Sequence, residues 1–410
     1  MTVTIYPGRA AGTAAAPPSK SCAHRMLLCG ALAEGESVIE GIAPSQDMLA
    51  TVDCIRAMGG ACRLEGDTAC ITGTGGHIRP GGTYPCRESG STLRFCIPPS
   101  LLSGGSAVFT GTPRLMERGV GIYETILAQK GISVSAAPDA VTFSGQLTPG
   151  DYTLRGDVSS QFVTGLLLAL PLLPGGSTLR VLPPVESRPY IDITLDIMAA
   201  FGVRVEEREP NLFAIPGGQR YESRRAAVEG DWSNTAFLLA LDGDVTVTGL
   251  RPDSLQGDRV CRDMLHRLES PGAVLDISAC PDLGPVLFAA AARSCGGVFT
   301  GTHRLRIKES DRIAAMAQEL SKFGAQIREE EDRVTVLHRP LHPPREVLDG
   351  HNDHRIVMAL AVLCASLGGT IRGAEAVSKS WPDFFPALEA LGLRMDIQPG
   401  NPCTERNIHP

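Results

Sequence analysis

Six times along this chain a compact polar or charged cluster stands immediately before a long apolar run. The clusters occupy 19–25 (Ser-Lys-Ser-Cys-Ala-His-Arg), 88–94 (Glu-Ser-Gly-Ser-Thr-Leu-Arg) and 157–161 (Asp-Val-Ser-Ser-Gln). Three more lie at 230–234 (Gly-Asp-Trp-Ser-Asn), 281–284 (Pro-Asp-Leu-Gly) and 352–355 (Asn-Asp-His-Arg). Each apolar run reaches a turn rich in glycine, and a short β-branched or apolar stretch resumes beyond it. This pattern predicts buried helices with polar N-termini. Six such helix starts would supply one large anion site if the fold brings them together.

A second class of segment alternates with the first: amphipathic helices that end in glycine and run into a strand. Three are predicted over 48–58, 121–130 and 191–201, before Gly59, Gly131 and Gly202, and three more end near Gly272, Gly324 and Gly392. Successive glycines are 72, 71, 70, 52 and 68 residues apart, so one repeat is shortened. Glycine just past a helix takes the left-handed conformation without penalty. The predicted unit is strand, polar-capped buried helix, strand, amphipathic helix, strand, repeated about six times. Helices alternating with strands imply an α/β fold with helix-covered sheets. Three units per globule give two domains, 19–228 and 229–410, with the boundary in the polar, Arg-rich stretch 223–229.

Composition narrows the function classes. The 410 residues are enough for two cores. A net charge of −7 argues against a general nucleic-acid binder. No uncharged apolar stretch reaches the ~18 residues of a membrane span, and the first residues lack the basic and apolar regions of a signal peptide. The twelve cysteines include no Cys-x-x-Cys pair, and Cys29, Cys96 and Cys364 sit inside apolar runs. Reduced thiols, a cytoplasmic location and no metal are the expectation.

Several clusters carry candidate chemistry. On a helix, Ser21 and Arg25 share a face with Lys20 and His24 beside them. The run 26–32 that follows is apolar, and a buried helix start holding two cations needs an anionic partner. Ser89-Gly90-Ser91-Thr92 with Arg94 reads as a nest where backbone N–H groups approach a phosphate. Ser159-Ser160-Gln161 offers three hydrogen-bonding side chains, although a plain capping motif explains it equally well. In 304–312, Lys308 and Arg312 are four apart with Glu309 beside them, at the start of an amphipathic helix. Cations there are disfavoured by about 0.3–1 kcal/mol each unless an anion offsets them. Arg114 and Arg118 begin another helix in the same way.

In order along the chain stand Lys20-Ser21 with Arg25, Gly90-Ser91-Thr92 with Arg94, Ser159-Ser160-Gln161-Phe162 and Ser187-Arg-Pro-Tyr190. Pro281-Asp282, Lys308-Glu309-Ser-Asp-Arg312, Asn352-Asp-His-Arg355 and Lys379-Ser-Trp-Pro-Asp follow. Together they resemble the EPSP synthase family of enolpyruvyl transferases, over essentially the whole chain. The resemblance implies a two-domain inside-out α/β barrel with three units per domain, two crossovers, and the first strand (1–18) joining the C-terminal half. It implies transfer of the enolpyruvyl group of phosphoenolpyruvate to the 5-hydroxyl of shikimate 3-phosphate, by addition and elimination, in aromatic amino acid biosynthesis. No metal or organic cofactor is implied, nor any nucleic-acid or membrane partner, and the family is usually monomeric.

Carried over by position, Lys20, Ser21, Arg25, Ser159, Ser160, Gln161 and Ser187 would hold shikimate 3-phosphate, with Tyr190, Asp282 and Lys308 completing that site. Lys20, Gly90, Arg114, Gln161, Arg312, Arg355 and Lys379 would hold phosphoenolpyruvate, the place that glyphosate occupies in this family. Asp282 is the expected base toward the 5-hydroxyl and Glu309 the acid toward the methylene carbon, with Lys20 and His354 assisting proton traffic. Glu309 sits between cations while Asp282 begins a nearly uncharged run, and such a contrast sets an acid apart from a base. Pro18, Glu88 and Arg304 depart from the family pattern.

Two rival readings meet contrary residues. The sister transferase acting on UDP-N-acetylglucosamine typically has a Cys in the loop corresponding to 110–121, where this chain has none, and Lys-Asn where it has Lys20-Ser21. A non-catalytic binder of phosphorylated metabolites would keep the cations but have no use for Asp282 and Glu309.

Overall fold

The computed structural model describes residues 1–399. All six polar clusters stand at helix starts. Ser19, Ser89, Ser159, Asp231 and Asp353 each cap a helix through the side-chain oxygen, satisfying an N–H that helix geometry leaves free. Pro281–Leu283 forms a 3-10 turn leading into the helix Gly284–Arg293. The six amphipathic helices are present too, and the glycine after each has φ between 77° and 102°.

The repeat differs from the expected one by a strand. In the repeat that starts at Gly82, the strands Gly82–Arg87 and Ser106–Gly111 run parallel and flank the helix Gly90–Ser100. After the helix Gly121–Ala128 comes a hairpin, Ser133–Ala137 with Ala140–Ser144, whose second strand lies antiparallel to Ser106–Gly111. Each complete sheet therefore has four strands. The turn residues at 137–140, Ala-Pro-Asp-Ala, mark this reversal, as do Gly66-Asp67 and Pro210-Asn211 in sister hairpins.

The shortened repeat is explained by the same comparison. After the helix Cys261–Leu268 no hairpin forms, and the chain passes from Gly272 directly to the strand Val274–Asp276 of the next sheet. The sheet so shortened holds only Gly243–Thr248 and Ala10–Ala15. In the last repeat Thr2–Ile5 pairs antiparallel with both Gly369–Arg372 and Met395–Gln398. The first strand of the chain thus fills the place that a hairpin strand fills elsewhere.

Two compact units result. One, here the amino-terminal unit, comprises Pro18–Gly230 and Arg251–Gly257; the other, the carboxy-terminal unit, comprises Met1–Pro17, Asp231–Leu250 and the chain from Asp258 on. The short segment Arg251–Gly257 is tied to the first by Ser254 and Gln256, whose side chains both donate to Glu229 Oε1 at 2.9 Å. The stretch 400–410 of the expected second domain lies outside the described residues. Each unit has its own apolar core. The polar-capped helices are buried on nearly every side: in His354–Leu367 the first twelve residues are buried, and in Gly284–Arg293 the first nine are. The strands alternate buried and open positions, so helices form the inside of each unit. Among the described residues no helix is long and apolar enough to cross a membrane.

Candidate active site

In the amino-terminal unit the buried helix starts carry the cations. Lys20 Nζ pairs with Asp47 Oδ2 at 2.9 Å, an anion from the start of the next helix, Gln46–Ala57. Arg25 is buried, and its guanidinium rests 4.9 Å from the centre of the Phe95 ring. It donates to Thr194 Oγ1 at 2.7 Å, Thr164 Oγ1 at 3.2 Å and the carbonyls of Ser21 and Tyr190 at 2.7 and 3.0 Å. The expected anionic partner is therefore supplied within the chain for Lys20, while Arg25 has neutral acceptors. Burial pushes the Arg25 guanidinium down to about 10. His24 is buried beside it; burial, then Lys20 and Arg25, hold its imidazole well below the usual range.

The start of the helix Gly90–Ser100 is built around Arg94. Its Nη1 donates to Gln161 Oε1 at 2.7 Å and its Nη2 to the carbonyls of Arg118 and Gly119 at 3.0 and 3.2 Å. Gln161 Nε2 in turn donates to Ser91 Oγ at 3.0 Å. These contacts join the helix starts at Gly90 and Ser160 into one polar surface. A Cβ placed at Gly90 would lie 2.9 Å from Arg118 Nη2, so this guanidinium rests directly over the glycine. Arg114 is about half exposed and pairs with Glu117 at 3.4 Å. Ser160 is buried behind its cap Ser159. Ser187 is buried with φ 55°, a left-handed conformation rare for serine, at the head of the helix Arg188–Ala200. Tyr190 lies one turn along that helix, partly exposed.

In the carboxy-terminal unit cations and carboxylates interlock. Asp282 Oδ1 receives Lys308 Nζ at 3.2 Å and Arg312 Nη1 at 2.9 Å, and its Oδ2 receives Arg355 Nη2 at 3.2 Å. Arg312 Nη2 reaches Glu309 Oε2 at 2.7 Å, and its Nε reaches Asp353 Oδ2 at 2.8 Å. Lys308 and Arg312 converge on Asp282 although no helix joins them. Lys308 is extended, and the helix begins only at Arg312, capped by Asp311. The contrast drawn from sequence does not extend to Asp282, which is a carboxylate with three cations, while Glu309 reaches Arg312. His354 is buried, with Nδ1 3.9 Å from Asp353 Oδ1. Lys379 Nζ donates to the carbonyl of Asn352 at 2.6 Å.

These contacts set the protonation states. Burial of Arg312 disfavours its charge, yet Asp353, Glu309 and Asp282 outweigh that and hold the guanidinium charged. Burial pushes Lys308 down to about 8, with Asp282 opposing and Arg304 and Arg312 adding to the fall. Asp258, buried and held by Ser233 Oγ at 2.9 Å, is pushed up to about 6 by burial and then by Asp282. That bond gives the 230–234 cluster a part in the same network. Two carboxylates that meet on one buried guanidinium, with two further cations on Asp282, make a pair of the kind general acid–base chemistry near bound anions uses.

Lys20, Ser21, Arg25, Gly90, Ser159, Ser160, Gln161, Ser187 and Tyr190 thus lie at helix starts of the amino-terminal unit, and Asp282, Lys308, Glu309, Arg312, His354, Arg355 and Lys379 in the carboxy-terminal unit. Arg118, one helical turn after the expected Arg114, is the guanidinium that stands over Gly90, while Arg114 pairs with Glu117. Sequence reasoning also missed Asp47 and Asp353, which partner cations, and Asp258, which Ser233 holds. Among the described residues no group of three or more His, Cys, Asp or Glu is placed to hold a metal ion.

Comparison with known proteins agrees with this arrangement. A family model described as EPSP synthase (3-phosphoshikimate 1-carboxyvinyltransferase) matches residues 6–388. A 3-phosphoshikimate 1-carboxyvinyltransferase from Clostridium kluyveri is 39% identical, covering 96% of this chain and 98% of its own. The enzyme of that name from Clostridioides difficile is 36% identical over the same shares. Among solved structures, an EPSP synthase from Acinetobacter baumannii is similar with a TM-score of 0.79 and 25% identity, covering 96% of this chain and 99% of its own. The enolpyruvyl transferase NikO from Streptomyces tendae shares the fold at a TM-score of 0.78 and 16% identity, covering 96% and 98%.

Proposed function

Because the chain belongs to the EPSP synthase family, we propose that it transfers the enolpyruvyl group of phosphoenolpyruvate to the 5-hydroxyl of shikimate 3-phosphate, releasing phosphate. The observation that carries this reading is the meeting of Asp282 and Glu309 on the Arg312 guanidinium, with Lys308 and Arg355 completing the hold on Asp282. In the addition step the 5-hydroxyl oxygen bonds to C2 of phosphoenolpyruvate and loses its proton to Asp282. The methylene C3 takes a proton from Glu309 and becomes a methyl group, giving a tetrahedral intermediate. In the elimination step C3 returns a proton, the C2–O bond to phosphate breaks, and the enol ether forms. No electrons enter or leave, so the reaction needs no redox partner.

Lys20, Ser21, Arg25, Ser159, Ser160, Gln161, Ser187, Tyr190 and Lys308 serve shikimate 3-phosphate in this reading. Lys20, Gly90, Gln161, Arg312, Arg355 and Lys379 serve phosphoenolpyruvate, with Arg118 rather than Arg114 as the cation over Gly90. His354 assists proton traffic from its place beside Asp353. The protein works as a cytoplasmic monomer without a cofactor. The test is phosphate release from phosphoenolpyruvate with shikimate 3-phosphate as acceptor, compared with UDP-N-acetylglucosamine. Release with the shikimate ester alone is expected, and release only with the UDP-sugar would overturn the assignment.

A further inference from the structure

The turn that carries Asp353, His354 and Arg355 is held in a conformation that its own residues disfavour. His351 and Asn352 both lie in the left-handed region, at φ 49° and 50°. Side chains other than glycine adopt this region singly and at a cost, so two in succession persist only where the surroundings over-determine them.

Those surroundings centre on Glu319, fully buried on the helix Arg312–Ser321 and used by no step of the reaction. Its Oε1 accepts from His351 Nε2 at 3.1 Å, and its Oε2 from the backbone N–H of Asp349 at 2.9 Å. Lys322 Nζ lies 3.0 and 2.8 Å from the two oxygens. The His351 N–H donates to Asp349 Oδ1 at 2.8 Å, and the Gly350 N–H to the Arg372 carbonyl at 2.9 Å. A Cβ at Gly350 would come within 2.6 Å of Val357, so the backbone has no room to relax on that side. The charged groups against the imidazole are Glu319, Asp349 and Lys322. The bond to Glu319 raises the imidazole above its usual range, with partial burial and Lys322 opposing and Asp349 adding.

What the turn presents is catalytic machinery. The Asn352 carbonyl receives Lys379 at 2.6 Å, and the Asp353 carboxylate receives Arg312 at 2.8 Å and Ser310 Oγ at 3.0 Å. We propose that His351 and Glu319 are positioning residues: their contact holds the left-handed turn that sets Asn352 against Lys379 and Asp353 against Arg312. The kinetic part of this proposal rests on the reading above, in which Lys379, Arg312 and Arg355 handle phosphoenolpyruvate.

Three substitutions separate the contact from the backbone conformation. His351→Gln keeps a donor near the position of Nε2. His351→Gly removes the donor but adopts the left-handed region freely, and His351→Ala removes the donor and keeps the strain. Steady-state phosphate release would be measured against each substrate in turn. His351→Gln should stay within about threefold of the parent, while the Gly and Ala variants raise the KM for phosphoenolpyruvate by about tenfold or more. The KM for shikimate 3-phosphate should change by less than about threefold. Parent-like kinetics in the Gly variant, or a parallel rise in both KM values, would overturn the proposal.

A second readout is independent of the reaction: the rate at which an amine-reactive reagent labels Lys379, followed by mass spectrometry. Labelling should quicken in His351→Ala and Glu319→Gln and stay at the parent rate in His351→Gln. Unchanged labelling in the first two would overturn the proposal. An inactive parent with the expected labelling pattern would instead sink the functional reading and leave the positioning role standing.

Discussion

Replacing Arg312 with methionine tests whether the carboxylates of the carboxy-terminal unit depend on one buried cation. Arg312 is 1% exposed and touches Asp353, Glu309 and Asp282. The three partners would not suffer equally. Asp282 and Glu309 are 22% and 19% exposed and can recover water, and Asp282 keeps Lys308 and Arg355. Asp353 is 0% exposed and retains only Ser310 Oγ and the Arg355 N–H as donors. The loss is therefore that of one stranded buried charge, about 3–5 kcal/mol, and not three times that figure. Urea unfolding at neutral pH, followed by circular dichroism, should show that deficit. Adding Asp353→Asn, which removes the stranded charge, should restore at least about half of the loss. A deficit below about 1 kcal/mol, or no recovery in the double variant, would refute the reasoning.

Glu309→Gln should lower kcat by about 10²-fold or more with both KM values little changed, read from phosphate release; a collapse of binding at unchanged turnover would remove Glu309 as the acid. Gly90→Ala should displace the Arg118 guanidinium, raising the KM for phosphoenolpyruvate and weakening inhibition by glyphosate, so an unchanged inhibition curve would contradict the placement. Arg118→Ala should raise that KM more than Arg114→Ala does, and the opposite order would return the role to Arg114. Lys308, lowered to about 8 by burial, should lose its proton as pH rises through that value, so the KM for shikimate 3-phosphate rises above pH 8 and Lys308→Arg flattens the rise. Its folded value lies below the unperturbed 10.5, so the unfolded chain binds more protons between the two and Lys308 contributes stability as pH climbs through that window.

The helix starts were legible because capping is a local signal: Ser19, Ser89, Asp231 and Asp353 bond N–H groups two or three residues ahead. The glycine after each amphipathic helix is local in the same sense, and its spacing revealed the shortened repeat before the missing hairpin was seen. The second hairpin strands were not legible, because five-residue strands around a two-residue turn carry too few alternations to stand apart from a loop. Partners were the least legible. Lys20 meets Asp47, and Glu319 meets His351, over separations of 27 and 32 residues that no periodicity encodes. Arg114 and Arg118 differ only in where a short helix points them, which the fold around Gly90 decides.

The two units hold their buried cations in opposite ways, and the difference fits the division of chemistry. Arg25 and Arg94 are braced by threonine hydroxyls, a glutamine amide and backbone carbonyls, all neutral acceptors. These acceptors carry no net charge of their own, and that suits groups proposed to retain a phosphorylated substrate. Arg312, Arg355 and Lys308 are braced by Asp282, Glu309 and Asp353, so their charge is largely cancelled in place. An incoming anion there must compete with carboxylates for the same donors, and each donor it takes loosens the hold on Asp282 or Glu309. Loosening raises the proton affinity of a carboxylate. In the proposed reading, arrival of phosphoenolpyruvate would therefore bear directly on the two carboxylates assigned as base and acid.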